Sequence, residues 1–496
     1  MKNAILVNLP LTETLYPSAS LAAIIPIFKT NNYQVEVIDL NLELTEEFLP
    51  EEVDRIYSWC ELTLENLEYD LEIKLSQWLE YKMQYIVSSN VDMLGVSVFS
   101  IYSIKISKMF FDLLGDKKFT GSILVGGNGV SSNLNATTNN KSHGEDLLES
   151  KLVDHVIFGE GEQSLNCLLQ NKQHPGIDVN TPIQIENLDT LPKPDYTDFD
   201  FDRYHDRRLL ITGSRGCVRK CTFCDIELTW PKFRQRSAQS MFEEIVEHRL
   251  KYNINKFEFT DSLINGSVSE WIRFNDLLAN AKAKDKDLEN ISYTGQFICR
   301  DEQSQKPIMY ELMHYAGCRQ ITVGIESFSE SVRNDMKKKF SNAAIDYHLE
   351  QCAKWAIPNI FLMIVGYPTE TLADHQSNLD AVKRYKIYSD MGVIFMLRWG
   401  LTMHIYKDTP LFKSANDYKI DIIKDNNLDA LYSWVSDLNP GLDFLERVRR
   451  RIELHELSYN LGYHQPNTRN ELQSILSLLN EYTVEQNKKT WILEQA

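Results

Sequence analysis

The amino-acid sequence predicts an α/β protein in three parts: a doubly wound N-terminal domain over residues 1–180, a partial (β/α)6 barrel over 206–400, and a helical C-terminal region over 401–496. Three observations predict it. Short apolar runs alternate with amphipathic helical stretches through the first two parts, the pattern of parallel strands joined by helical crossovers. An acidic, proline-bearing stretch over 181–205 interrupts the alternation and reads as an interdomain linker. Beyond residue 400 the strand pattern gives way to helical periodicity.

Composition bounds the function. The chain has 496 residues, 43% of them hydrophobic and 25% charged, which suits a globular protein with a large core and excludes a disordered or fibrous one. The balance of 52 basic against 70 acidic side chains leaves −18, so the surface as a whole repels phosphate backbones and bulk nucleic acid is not an expected partner. No run approaches ~18 uninterrupted apolar residues, and the first 20 residues lack a secretory pattern, so no membrane contact and a cytoplasmic location are expected. Of eight cysteines, five stand singly and three crowd into 217–224. That spacing fits reduced thiols gathered for a metal better than a disulfide framework.

In the first part, Ala4–Asn8 is an apolar run broken by Pro10. A helix is expected over Ser18–Thr30, with Leu21, Ala22, Ile24, Ile25 and Phe28 on its buried face, and a strand over Val35–Asp39. Leu44–Ser89 reads as helical, its Trp59, Leu67, Leu71, Leu75, Trp78 and Leu79 spaced for packing. Strands follow at Met93–Val98, Ser122–Val125 and Val153–Phe158, with a helix over Ile104–Leu114. The strand ends carry Ser97, then Gly126 and Gly127, then Gly159 and Glu160. Small residues at the carboxyl edge of a parallel sheet let a ligand approach the backbone, although the same glycines also serve simply as tight turns.

In the second part, the strand Leu209–Thr212 runs into Gly213–Gly216 and then Cys217-Val218-Arg219-Lys220-Cys221-Thr222-Phe223-Cys224. Three thiolates on one loop reach three irons of a cubane and leave the fourth open, whereas a purely structural cluster usually takes four cysteines. Zinc competes for such a loop, but it wants a fourth nearby ligand, and none follows. Strands are then expected at Lys256–Thr260, Ile291–Phe297, Gln320–Val323, Asn359–Val365 and Val393–Trp399, with helices over Gln239–Leu250, Trp271–Ala283, Ile308–Tyr315 and His348–Trp355. Polar residues collect at the carboxyl ends of these strands, the edge where a β/α barrel builds its site. They include Asp261, Arg300, Glu326 and the Gly366-Tyr367-Pro368-Thr369-Glu370-Thr371 turn. Arg300 pairing a rim acid and Asp261 capping the next helix are the plain alternatives. The basic segment Trp230–Ser237 either holds an anionic substrate or fixes its loop to an acidic neighbour.

The cysteine loop, with Phe223 ahead of its last cysteine, resembles the signature of the radical S-adenosylmethionine (SAM) superfamily. The resemblance implies a [4Fe–4S] cluster on Cys217, Cys221 and Cys224, S-adenosylmethionine chelated at the open iron, and reductive cleavage to a 5′-deoxyadenosyl radical. Gly324–Ser327 resembles that family's fourth-strand motif and the Gly366 turn its fifth-strand glycine-proline turn. This implies that Glu326 and Gly366 lie near S-adenosylmethionine, that Arg300 meets its carboxylate, and that Asp261 faces cofactor or substrate. The order of a Rossmann-like sheet, a linker and a TIM-like radical barrel resembles the cobalamin-binding class of the superfamily. The pieces that match are Pro17–Asp39, Val125–Asn128 and Gly159–Glu162. The class implies cobalamin between the domains, a small-molecule substrate methylated at an unactivated carbon, and an electron donor such as flavodoxin or ferredoxin. The Asp-x-His-x2-Gly run that ligates cobalt in some cobalamin domains is absent.

Three functions remain in play on sequence. They are the cobalamin-dependent methyltransferase, a radical enzyme doing another hydrogen abstraction or rearrangement on a scaffold domain, and a non-catalytic iron–sulfur sensor. The polar barrel rim argues against the sensor, and the lack of a second cysteine triad argues against methylthio-transfer. In the C-terminal region helices are expected at Leu428–Val435, Phe444–Leu457 and Leu472–Tyr482, with Arg447–Arg451 read as a solvated face. His404 and Tyr406 are candidates to cover the barrel mouth.

Overall fold

The computed structural model of the protein describes residues 1–10, 16–60, 66–115, 119–131, 141–181, 183–301, 304–422 and 434–464. The chain divides into two compact units: 1–211 with 244–256, and 212–243 with the described residues from 257 onward.

The first unit is built on five strands, β1 (Lys2–Asn8), β2 (Tyr33–Asp39), β3 (Met93–Ser97), β4 (Ser122–Gly126) and β5 (His155–Val156), in the order β2-β1-β3-β4-β5. All pairs are parallel. The strand side chains alternate between two faces. Ile5, Val7, Leu94 and Val96 join a large core with the helices Pro50–Cys60, Tyr69–Ser88 and Ile104–Gly115. On the opposite face Gly95 leaves room for Leu6 and for Phe28 of the helix Ala19–Thr30. That helix starts where expected because the Ser18 hydroxyl accepts the Leu21 N–H at its N-cap. The long helical stretch expected over 44–89 is three helices, the first being Leu40–Glu47, and part of it (61–65) lies outside the described residues. The strand expected over Val153–Phe158 is only two residues long; Ile157 still donates its N–H to the Val125 carbonyl of β4 at 2.8 Å and also forms an antiparallel bridge to Ile177.

The described part of the stretch expected as a linker is largely irregular and falls within the first compact unit rather than between the two. Tyr196 is fully buried against Phe199, Phe201, His248 and Tyr252, and Asp195 and Asp198 pair with Lys29 at 2.9 and 2.8 Å.

A second parallel sheet has six strands. They are β6 (Arg208–Ile211), β9 (Lys256–Phe259), β10 (Ser292–Phe297), β11 (Cys318–Glu326), β12 (Asn359–Val365) and β13 (Ile394–Thr402), in the order β13-β12-β11-β10-β9-β6. Neighbours in space follow chain order, which is the partial barrel expected. A two-stranded antiparallel pair, β7 (Ser214–Arg215) with β8 (Arg234–Gln235), brackets the cysteine loop. Helices Val268–Lys284, Pro307–Ala316, Asn342–Lys354 and Leu372–Arg384 alternate with the strands.

The C-terminal region differs from expectation in two places. The described part of the helix expected at Leu428–Val435 is a strand, Trp434–Ser436, which pairs antiparallel with Ile420–Ile422. The helix expected at 472–482 lies outside the described residues. The helix expected at Phe444–Leu457 runs over Phe444–Asn460, but its arginines are not a solvated face. Arg447, Arg450 and Arg451 are all buried, and only Arg449 is exposed. Partners remote in sequence help to hold them: Arg450 reaches Glu370, 80 residues earlier, and Arg451 the Trp399 carbonyl.

Candidate active site

The cysteine loop leaves β7 and returns through β8. Arg236, which the sequence offered as an anion holder, serves the loop itself. Its guanidinium donates to the Thr212 carbonyl at 3.1 Å and to the Ser240 hydroxyl at 2.8 Å. Gly216 takes a φ of 84°, where a side chain would run into the Lys232 backbone, so the loop turns here only because it has glycine. Within the loop the Arg219 N–H donates to the Cys217 sulfur at 3.3 Å. Burial raises the thiols of Cys221 and Cys224, the latter to about 11.

Among the described residues no three His, Cys, Asp or Glu side chains converge on one point as a single ion would require. A cubane asks less convergence, since it spreads three thiolates over three irons. The donor set fits it: three soft sulfurs on one loop, each within the electrostatic reach of another. Cys299, Cys318 and Cys352, by contrast, are buried and engaged with neighbouring protein groups.

Several rim residues gather at this loop. A register shift in β11 between Gly324 and Glu326 and a left-handed φ of 66° turn Glu326 inward. Its carboxylate accepts from Lys338 Nζ at 2.9 Å, and Lys338 lies 5.9 Å from the Phe223 ring centroid. Burial opposes charge on Lys338, but Glu326 and the nearby Cys221 and Cys217 outweigh it and leave its pKa raised. Sequence reasoning missed Lys338, because a Lys-Lys-Lys run reads as surface. The flanking Lys337 and Lys339 both adopt left-handed φ, which leaves them exposed and Lys338 buried.

Among the described residues Arg300 pairs with no rim acid. Its Nη2 donates to the Asn265 and Gly266 carbonyls at 2.6 and 2.7 Å, while its Nε is buried without a partner among the described residues. Burial and the neighbouring charge of Arg219 lower its pKa. Arg219 Nε is likewise buried and unpartnered among the described residues. Two guanidiniums beside the cysteine loop with polar edges to spare form a place for an anion. Asp261 does not cap the next helix, which Ser267 does. It is buried and accepts the Gly213 N–H at 2.8 Å, where the chain enters the loop, and burial raises its pKa to about 7.

The Gly366 turn is held from the C-terminal helix. Gly366 has a φ of 80°, and a Cβ there would collide with the Arg447 side chain. Arg447 lies over the Trp434 ring at 4.0 Å and donates to the Leu442 carbonyl at 2.9 Å. Arg450 donates to the fully buried Glu370 carboxylate at 3.0 Å and to the Glu370 carbonyl. Of the two residues expected at the barrel mouth, His404 is half-buried and Tyr406 exposed.

In the first unit, Asn8 and Ser97 are in register at the carboxyl ends of β1 and β3, the point where strand order reverses and open α/β sheets bind ligands. Ser97 is buried, and the loop after it exposes Phe99, Ile101 and Tyr102. At Gly127 and Gly159, both with positive φ, the room a side chain would need is filled by the backbone of Val98 and of Ile183. Those two glycines therefore serve the fold. Only ordinary contact surrounds Gly126. Glu160 is buried and accepts the Ile185 N–H at 2.8 Å.

Residues 211–382 match the family model described as the radical SAM superfamily. That part of the chain is similar to the radical SAM superfamily, a family that implies a [4Fe–4S] cluster, S-adenosylmethionine and a reductant. An uncharacterized methyltransferase, PH0819 of Pyrococcus horikoshii, is 24% identical over 262 residues, 49% of this chain and 55% of that one. A tRNA-2-methylthio-N(6)-dimethylallyladenosine synthase of Bdellovibrio bacteriovorus is 26% identical over 252 residues, 48% of this chain and 50% of that one. The chain thus spans about half the length of the curated relatives it matches. Two solved structures share the fold across nearly the whole chain. The radical SAM methyltransferase TsrM of Kitasatospora setae has a TM-score of 0.62 at 14% identity, over 94% of this chain and 90% of that one. The cobalamin-dependent radical enzyme OxsB has 0.66 at 16% identity, over 97% and 71%. No helix among the described residues is long and apolar enough to cross a membrane.

Proposed function

We propose that the protein is a cobalamin-dependent radical SAM methyltransferase that acts on an unactivated carbon of a small molecule. The observation that carries this reading is the architecture: a β2-β1-β3-β4-β5 parallel sheet precedes a six-stranded barrel with a three-cysteine loop in a single chain, the fold shared with TsrM and OxsB. In this reading Cys217, Cys221 and Cys224 hold the cluster. Arg300 and Arg219 receive the carboxylate of S-adenosylmethionine with their spare N–H groups. Glu326 and Lys338 offer a charge pair to its methionyl end, and the Gly366 turn lets backbone approach its adenosyl part. Asp261 acts through Gly213, by fixing where the loop starts. Cobalamin lies at the carboxyl edge of the first sheet near Ser97, Gly126 and the exposed Phe99 loop. Bound there, these groups supply a carbon-centred radical and a transferable methyl; the chain orients them and keeps water out.

One observation favours a second reading, in which the first sheet is scaffold and the enzyme does another hydrogen abstraction or rearrangement. The β1–β2 edge is filled by its own network: Asn8 Nδ2 donates to Asp39 Oδ1 at 2.9 Å, and the Tyr204 hydroxyl donates to Asp39 Oδ2 at 2.8 Å. Product analysis separates the two. The reconstituted, reduced protein with cobalamin and S-adenosylmethionine is expected to form both 5′-deoxyadenosine and S-adenosylhomocysteine, the latter being what S-adenosylmethionine leaves when it gives up its methyl group. Deoxyadenosine without S-adenosylhomocysteine supports the second reading.

A further inference from the structure

Thr222 sits between the second and third cysteines of the loop and is almost fully buried. All its polar groups are held by separate segments. Its N–H donates to the Met336 carbonyl at 3.2 Å, beyond β11. Its carbonyl accepts the Leu411 N–H at 2.7 Å, from the C-terminal region. Its hydroxyl lies 2.8 Å from that of Tyr367, in the Gly366 turn after β12. Tyr367 is fully buried, and its hydroxyl reaches that of Tyr418 at 3.4 Å. Tyr418 in turn donates to Asp335 Oδ1 at 2.9 Å, and Thr369 donates to Asp335 Oδ2 at 2.7 Å.

The direction of this chain of hydroxyls follows from its end. An ionised carboxylate only accepts, so Tyr418 spends its proton on Asp335 and its oxygen accepts from Tyr367. The Tyr367 oxygen is then left to accept from Thr222. The protons therefore all point one way, from the cysteine loop to Asp335, and each bond polarises the next. The surrounding packing is consistent: Phe223 lies against a small core of Val332, Met336, Tyr367, Met403, Ile405 and Leu411.

We propose that Tyr367 is a positioning residue for the iron–sulfur loop, its hydroxyl linking Thr222 to Asp335 through Tyr418 and so setting the geometry of the donors around the cluster. This rests on the reading that Cys217, Cys221 and Cys224 hold that cluster. Hydrogen bonds to cluster sulfurs and local solvent access set the reduction potential, so a loop released at Thr222 changes both. The role also gives the C-terminal region a function, since Leu411 and Tyr418 both come from it.

The test uses the full chain with Tyr367→Phe, Tyr418→Phe and the double variant, each reconstituted with iron and sulfide. Iron content is expected to match wild type. The potential of the cluster, from an EPR-monitored redox titration, and the EPR spectrum of its reduced form are expected to change in Tyr367→Phe and to change less in Tyr418→Phe. The double variant is expected to match Tyr367→Phe, because the two hydroxyls act in series. Wild-type potential and spectrum in both single variants overturn the proposal, as does an additive double variant. A second readout needs no cluster: amide hydrogen exchange across 217–224 in protein that has not been reconstituted. Faster exchange in Tyr367→Phe with no cluster forming even in wild type supports the link while overturning the cluster reading. Unchanged exchange overturns the link itself.

Discussion

Asp261 is a buried carboxyl group whose pKa stands near 7, against 3.8 for an ordinary aspartate, chiefly because burial disfavours the charged form. At about 1.4 kcal/mol per pH unit, a difference of this size corresponds to roughly 4 kcal/mol, an order-of-magnitude figure. The sign follows from proton counting. Between pH 4 and 7 the folded chain keeps a proton on Asp261 that the unfolded chain has lost, so this group subtracts stability as pH rises through that window. The substitution Asp261→Asn keeps the size and an acceptor for the Gly213 N–H and removes the ionisation. Urea unfolding at a series of pH values, followed by circular dichroism and fluorescence together, is the assay. The variant is expected to match wild type near pH 4 and to gain on it up to pH 8, by as much as about 4 kcal/mol, a figure in which the pull of Arg236 is already set against burial. A variant that loses ground to wild type as pH rises would refute the reasoning, because it would mean that Arg236 and the N–H donors win over burial.

Glu370→Gln leaves Arg450 buried with Glu446 as its remaining acidic partner, and breaking one side of such a pair costs about 3–5 kcal/mol where nothing compensates; with Glu446 at 3.0 Å, a loss toward the lower end is expected in urea unfolding. Gly366→Ala forces a non-glycine residue to a φ of 80° and displaces Arg447, so it is expected to cost at least ~1–2 kcal/mol and to weaken retention of S-adenosylmethionine in equilibrium dialysis. Burial holds His143, His348 and His404 near pKa 4, below the usual 6.5; each is neutral in the fold and charged when unfolded between those values, so acidification from pH 6.5 to 4 destabilises the protein through them. Replacing His348 with Gln is expected to reduce that acid sensitivity in pH-dependent unfolding.

What the sequence shows plainly is what is local. The cysteine loop is eight residues long and follows a strand, so the motif is legible without a fold. Strands β1 and β3 read as apolar runs because a sheet covered on both faces buries them, whereas β9 and β10 alternate in burial. The misreadings arise where a partner is distant. Arg447–Arg451 looked solvated because acids stand beside them in sequence, yet Glu370, which decides the fate of Arg450, lies 80 residues earlier. Lys338 was hidden in a basic run whose burial depends on two left-handed residues beside it. The contact between Thr222 and Tyr367 spans 145 residues and leaves no trace in periodicity. Gly127 and Gly159 were open between ligand approach and turn-making, and only the positions of Val98 and Ile183 decide for the turn.

The central claim is that one chain carries both a cluster on Cys217, Cys221 and Cys224 and a cobalamin on the first sheet. Anaerobic reconstitution with iron and sulfide, with and without hydroxocobalamin, followed by desalting and a visible spectrum, reads both chromophores together. The account predicts a [4Fe–4S] spectrum in wild type that disappears in Cys217→Ala, with cobalamin retained after desalting. A cluster without retained cobalamin contradicts the methyltransferase reading, and a folded wild-type protein that forms no cluster contradicts the account as a whole.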